Sequence, residues 1–78
     1  MTIEERILVF FKDKGVSSGL EYETDLFSHE YINSLFALEM VVYLEDTFKI
    51  KLANKDINKQ NFSTVSKLAA LVRSYGGK

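Results

Sequence analysis

A single histidine, His29, and no cysteine leave little material for covalent or metal chemistry. A Ser-His-Asp triad could be assembled only from His29, Ser34 and Asp25, and nothing in their spacing favours it. Thiol catalysis, cysteine-based zinc or iron–sulfur sites and disulfides are excluded, and one imidazole cannot furnish a catalytic zinc centre. The acids Glu21, Glu23 and Asp25 lack the glycine turn and closing glutamate of a calcium loop. Neither a glycine-rich phosphate loop nor a dinucleotide fingerprint occurs. No metal site is expected, and no catalytic residue. Ser34 stands apart. It sits between Asn33 and Leu35, where a polar segment gives way to a strongly apolar helical run. Asn33 suffices to cap that helix, which leaves the Ser34 hydroxyl to project. A hydroxyl at the positive end of a helix suits attachment of a phosphodiester, because the dipole and unpaired amides favour negative charge.

The elements that must position Ser34 are helical. Thr2-Ile3-Glu4-Glu5 reads as a capping box, and Ile3, Ile7, Leu8, Phe10 and Phe11 recur at helical spacing before Gly15, which predicts a first helix over about residues 3 to 14. From Val16 to Asn33 no helical stripe persists, yet Leu20, Tyr22, Leu26, Phe27, Tyr31 and Ile32 are too apolar to remain in water. This long loop must therefore lie against the core. Residues 34 to 47 give the clearest helix. A short helical turn around Ile57, capped by Asn54 or Asp56, and a last helix from about Thr64 to Tyr75, capped by Ser63 and with Phe62 as a staple, complete the chain. The expected fold is all-α: a four-helix bundle with a long loop between helices 1 and 2 and a short helix 3. Residues 1–78 are read as a single domain.

On a wheel of 100° per residue, Ala37, Met40, Val41, Leu44 and Phe48 mark the core side of the second helix. Leu35, Leu38 and Val42 form a second sector, interleaved with Glu39, Glu45 and Asp46, while Phe36 and Tyr43 share a third. Apolar groups set among acids are what a recognition surface needs, one supplying desolvation and the other steering. Leu35, Glu39, Val42, Glu45 and Asp46 are the expected partner-binding residues.

The net charge of −1 conceals a polarity along the chain. Residues 15 to 48 hold seven acids and no lysine or arginine, and residues 49 to 78 hold seven bases against Asp56 alone. The acidic stretch should attract basic surfaces. The bases are scattered over several elements, with Arg73 the one arginine among them, so no nucleic-acid recognition helix is expected. Glu4, Glu5 and Asp13 make the opening residues unlike a signal peptide, and the longest uncharged run, Tyr31 to Leu38, is too short to span a bilayer. A cytoplasmic monomer without membrane attachment is the expectation.

The run Asp25-Leu26-Phe27, then Tyr31-Ile32-Asn33-Ser34-Leu35, then Leu44-Glu45-Asp46-Thr47-Phe48-Lys49-Ile50 resembles acyl and peptidyl carrier proteins. Their signature is Asp-Leu, then Asp-Ser-Leu, then a helix ending Leu-Glu-x-x-Phe-x-Ile, and the similarity extends to Phe62-Ser63-Thr64-Val65. The resemblance implies that Ser34 carries a covalent 4'-phosphopantetheine arm placed there by a phosphopantetheinyl transferase. It also implies that acyl groups ride on the arm's thiol as thioesters, so that the chain is a shuttle and not an enzyme. Asn33 stands where most carriers have Asp, Glu30 where many have Gly, and the overall charge is less negative than in fatty-acid carriers. The variant Asn-Ser-Leu-Phe-Ala-Leu-Glu (residues 33 to 39) looks most like stand-alone carriers of malonyl-type extender units in polyketide or hybrid peptide pathways, including antibiotic biosynthesis. Partners would then be acyl-loading and acyl-processing enzymes of acyltransferase, dehydrogenase or ketosynthase type. The alternatives are an aminoacyl carrier of the D-alanyl type, a fatty-acid carrier, or a helical adaptor without prosthetic group.

Overall fold

A computed structural model describes residues 2–15, 20–27 and 34–77, with Ser34 described by its backbone alone. Three α-helices occur among them, α1 (Ile3–Asp13), α2 (Ser34–Phe48) and α3 (Val65–Ser74), together with a 3₁₀ turn at Asn54–Asp56, and no strand. The all-helical expectation holds. The expected four-helix count does not hold among the described residues, because the third element is a single 3₁₀ turn. Side chains explain its brevity: Asn58 Nδ2 donates to the Lys55 carbonyl and its Oδ1 accepts from the Asn61 amide, while Asn61 Nδ2 donates to the Asp56 carbonyl. Such local bonds compete with a continuing helical ladder.

The capping box opens α1 as read from sequence. Thr2 Oγ1 accepts from the Glu5 amide at 3.1 Å, and the Thr2 amide donates to Glu5 Oε1 at 2.7 Å. Gly15, at φ 77°, follows its end. The predicted cap of the last helix is displaced by one residue. Thr64, not Ser63, is the N-cap, its Oγ1 accepting from the Lys67 amide at 3.0 Å. Ser63 is spent on the preceding segment, its hydroxyl donating to the Gln60 carbonyl and its own carbonyl accepting from Leu26.

The core draws on all three α-helices and the long loop: Ile7 and Phe11 from α1, Met40 and Leu44 from α2, Val65 and Leu68 from α3, and Leu26 from the loop, all fully buried. Aromatic rings join α1 to α2. Phe11 stacks on Phe36 with centroids 5.4 Å apart, and Phe10 meets Phe36 edge-on at 5.3 Å and Tyr43 at 4.8 Å. Tyr43 Oη donates to the Arg6 carbonyl at 2.7 Å, and the Arg6 guanidinium lies 6.0 Å from the Phe48 ring centroid. With Lys14 beside Glu39, these contacts fix α1 and α2 as antiparallel.

The start of α1 meets the end of α3 through a forked ion pair, Arg73 donating to both Glu4 carboxylate oxygens at 2.9 and 2.7 Å. The Arg73 hydrogen bonds hold the Glu4 carboxyl below its ordinary value of 4.5 against the opposing effect of burial, and the Thr2 amide does the same for Glu5. A carboxyl whose folded-state pKa is lowered stabilises the fold above its unfolded value and loses that contribution as pH falls. The urea midpoint followed by circular dichroism should hold steady between neutral pH and about 5, then drop as pH passes below about 4.5. Glu4→Gln should shrink that drop, modestly, because Arg73 is half exposed.

Candidate functional site

Ser34 is the first residue of α2, so its backbone stands where the helix has unpaired amides and the positive end of its dipole. The first turn, Ser34 to Ala37, contains no acid that would repel a phosphodiester. Leu35, next to it, is 67% exposed. An anionic arm thus fits this helix start by charge. The Ser34 side chain, Asn33 as cap, Glu30 and His29 all lie outside the described residues or atoms.

The loop leading toward Ser34 is anchored where it is described. Leu26 is fully buried and its amide donates to the Ser63 carbonyl at 2.8 Å. The Tyr22 carbonyl accepts from the Ser66 amide at 3.0 Å, satisfying a donor in the first turn of α3, and Ser66 Oγ also donates to Glu23. Asp25 Oδ1 accepts from the Phe27 amide at 3.0 Å, a local turn that directs the chain after Leu26. Among the described loop residues Leu26 is buried and Leu20 and Phe27 pack against the core, whereas Tyr22 stays exposed.

Along α2 the wheel is realised. Met40, Leu44 and Phe48 are buried, whereas Leu35, Leu38 and Val42 are each about two-thirds exposed. Of the five expected partner-binding residues, Leu35, Val42 and Asp46 are exposed. Glu39 is half-buried and pairs with Lys14 Nζ at 2.6 Å. Glu45 is engaged elsewhere: its Oε2 accepts from the Leu52 amide at 2.9 Å, and its carbonyl accepts from Ile50, closing the end of α2. Lys49 provides that turn in a left-handed conformation at φ 55°. Leu38 and Lys14 belong to this surface and were not among the expected residues. Lys14 had one sequence signal, being the last base before a stretch of 34 residues with none.

Among the described residues no group of three or more His, Cys, Asp or Glu could hold a metal, and no helix is long and apolar enough to cross a membrane.

The phosphopantetheine attachment site family matches residues 15–72, well over half of the chain. Among curated proteins, the D-alanyl carrier protein of Streptococcus pyogenes serotype M5 is 32% identical over 69 residues, spanning 87% of each chain. The D-alanyl carrier protein of Streptococcus uberis is 30% identical over 74 residues, spanning 94% of each. No solved structure matches at a significant level. These relatives agree with the expected carrier class, and their names favour the aminoacyl alternative over a malonyl-type extender carrier. The prosthetic group of the matched domain is a covalently attached 4'-phosphopantetheine, and carriers of this kind work with a phosphopantetheinyl transferase and further partner enzymes. An all-helical scaffold with an acid-free helix start and this match over residues 15–72 together mean that the chain belongs to the phosphopantetheine-binding carrier family.

Proposed function

We propose that residues 1–78 form one carrier unit modified at Ser34, and that its cargo is an amino acid of the D-alanyl type held as a thioester. The observation that carries the site is Ser34 as the opening residue of α2, beside the exposed Leu35 and inside the matched range 15–72. The relatives named as D-alanyl carriers support the cargo. When bound, the arm supplies a thiol that takes up an acyl group. The chain's own contribution is positional: the start of α2 accommodates the phosphodiester, the buried Leu26 holds the approach to it, and the exposed face of α2 meets the enzymes that load and unload. No residue of the chain is assigned a catalytic step.

The extender-unit reading stands second, favoured by the segment Asn33 to Glu39. The two readings separate in one experiment. Protein modified with coenzyme A and a broad-specificity transferase is offered either D-alanine, ATP and a D-alanine–carrier ligase, or malonyl-coenzyme A and a malonyl acyltransferase. The expected result is an intact-mass gain of one alanyl group in the first mixture and none in the second. Gain only in the second would reverse the assignment.

A further inference from the structure

An open groove of about 490 Å³ lies between α1 and α2, lined by Phe10, Leu38, Val42 and Tyr43 and edged by Lys14, Glu39 and Asp46. Its floor is rigid, because Phe10 and Tyr43 pack ring on ring and Tyr43 is tied to the Arg6 carbonyl. Its walls include two of the most exposed apolar side chains of the molecule, Leu38 at 64% and Val42 at 65%. Lys14 reaches across the rim. Its Nζ sits 2.6 Å from Glu39 Oε2 and 5.7 Å from the Phe10 ring centroid, with the two charged side chains 43% and 38% exposed. No lysine or arginine occurs between residues 15 and 48, so α2 has none of its own to answer its acids.

We infer that this groove docks a partner enzyme's apolar side chain flanked by a lysine or arginine, and that Lys14 holds the place of that cation until the partner displaces it from Glu39. The inference rests on the carrier reading above and extends it to the side of α2 that faces α1. Charge complementarity selects the occupant. The groove is apolar within, Asp46 is exposed at its edge, and the one cation present is already paired with Glu39. An exposed ion pair contributes little and is weakened by salt, so an incoming cation exchanges for Lys14 at small cost. The apolar partner side chain then supplies the desolvation that makes the exchange favourable. Lys14 is thus an internal competitor, and removing its charge should help docking.

The test measures kcat/KM of a broad-specificity phosphopantetheinyl transferase for the carrier at low and high salt. Lys14→Met keeps the apolar stem over Phe10 and removes the charge. It should raise kcat/KM by about 3- to 10-fold at low salt, and Glu39→Gln should lower it by a similar factor. In the Glu39→Gln background Lys14→Met should have no effect, since the competitor has lost its partner. An equal gain from Lys14→Met in both backgrounds, or from the control Lys12→Met, would reduce the effect to net charge and overturn the inference. Failure of the wild type to gain mass would refute the carrier reading. The inference is read separately, from amide shifts of Phe10, Leu38, Val42 and Tyr43 on adding the transferase. No shift at these residues overturns it whether or not mass is gained. A concentration-dependent dimer, or the same shifts on arm attachment alone, would assign the groove to a second copy or to the arm and overturn it as well.

Discussion

Ser34→Ala is expected to abolish arm attachment completely: intact mass after incubation with coenzyme A and a broad-specificity transferase should rise for the wild type and stay unchanged for the variant. Alanine has no oxygen with which to form the phosphodiester. Folding should survive, since alanine is the best helix former and the first helical position tolerates it. The far-ultraviolet circular dichroism and urea midpoint of Ser34→Ala should therefore match the wild type closely. A mass gain on Ser34→Ala equal to that of the wild type would move the attachment point elsewhere.

The second large effect concerns two leucines nine residues apart with opposite environments. Leu26 is 0% exposed and Leu35 is 67% exposed. Leu26→Ala should cost about 2–5 kcal/mol, the range for emptying a core site of this size. A chain of 78 residues has a total stability of only about 4–12 kcal/mol at typical values per residue. Leu26→Ala should consequently lower the urea midpoint severely or unfold the domain. Leu35→Ala should leave that midpoint within about 0.5 kcal/mol, as exposed substitutions do. Its cost should fall on modification by the transferase, with KM for the carrier raised several-fold and the fold intact. Both proteins are read by the same two measurements, so a large loss of stability in Leu35→Ala, or none in Leu26→Ala, would contradict the burial on which the site is built.

Much of this was legible in the residues. The capping box at Thr2 and Glu5 needs only neighbours in sequence, and it forms as written. The three sectors of α2 follow from its period, with Met40 and Leu44 buried, Leu35 and Val42 exposed, and Phe36 and Tyr43 turned to α1. The inward packing of Leu26 follows from a loop too rich in apolar side chains to lie in water. What was not legible turned on choices among side chains that periodicity alone does not rank. Ser63 and Thr64 carry equivalent capping hydroxyls, and the choice between them was made by Leu26, whose amide binds the Ser63 carbonyl. Asparagine side chains cut the third helix to a turn. Glu45 also accepts from the Leu52 amide, a bond that its place on the wheel does not reveal. The ion pair of Lys14 and Glu39 joins residues on different helices, so no local pattern announced it. The seven residues from Asn33 to Glu39 point to an extender unit, whereas the relatives that align over 69 or 74 residues are named D-alanyl carriers.

The Glu4–Arg73 fork also has a bearing on how the unit can be held. It brings the start of α1 to the end of α3, and Gly77 packs against Phe48 at the far end of α2. Fifteen helical residues, about 22 Å of rise, then separate that pole from Ser34. With the arm on Ser34 as proposed, tethers joined at Thr2 or Gly77 leave from the pole opposite it. Fusion or immobilisation at that pole would leave the proposed attachment end unencumbered.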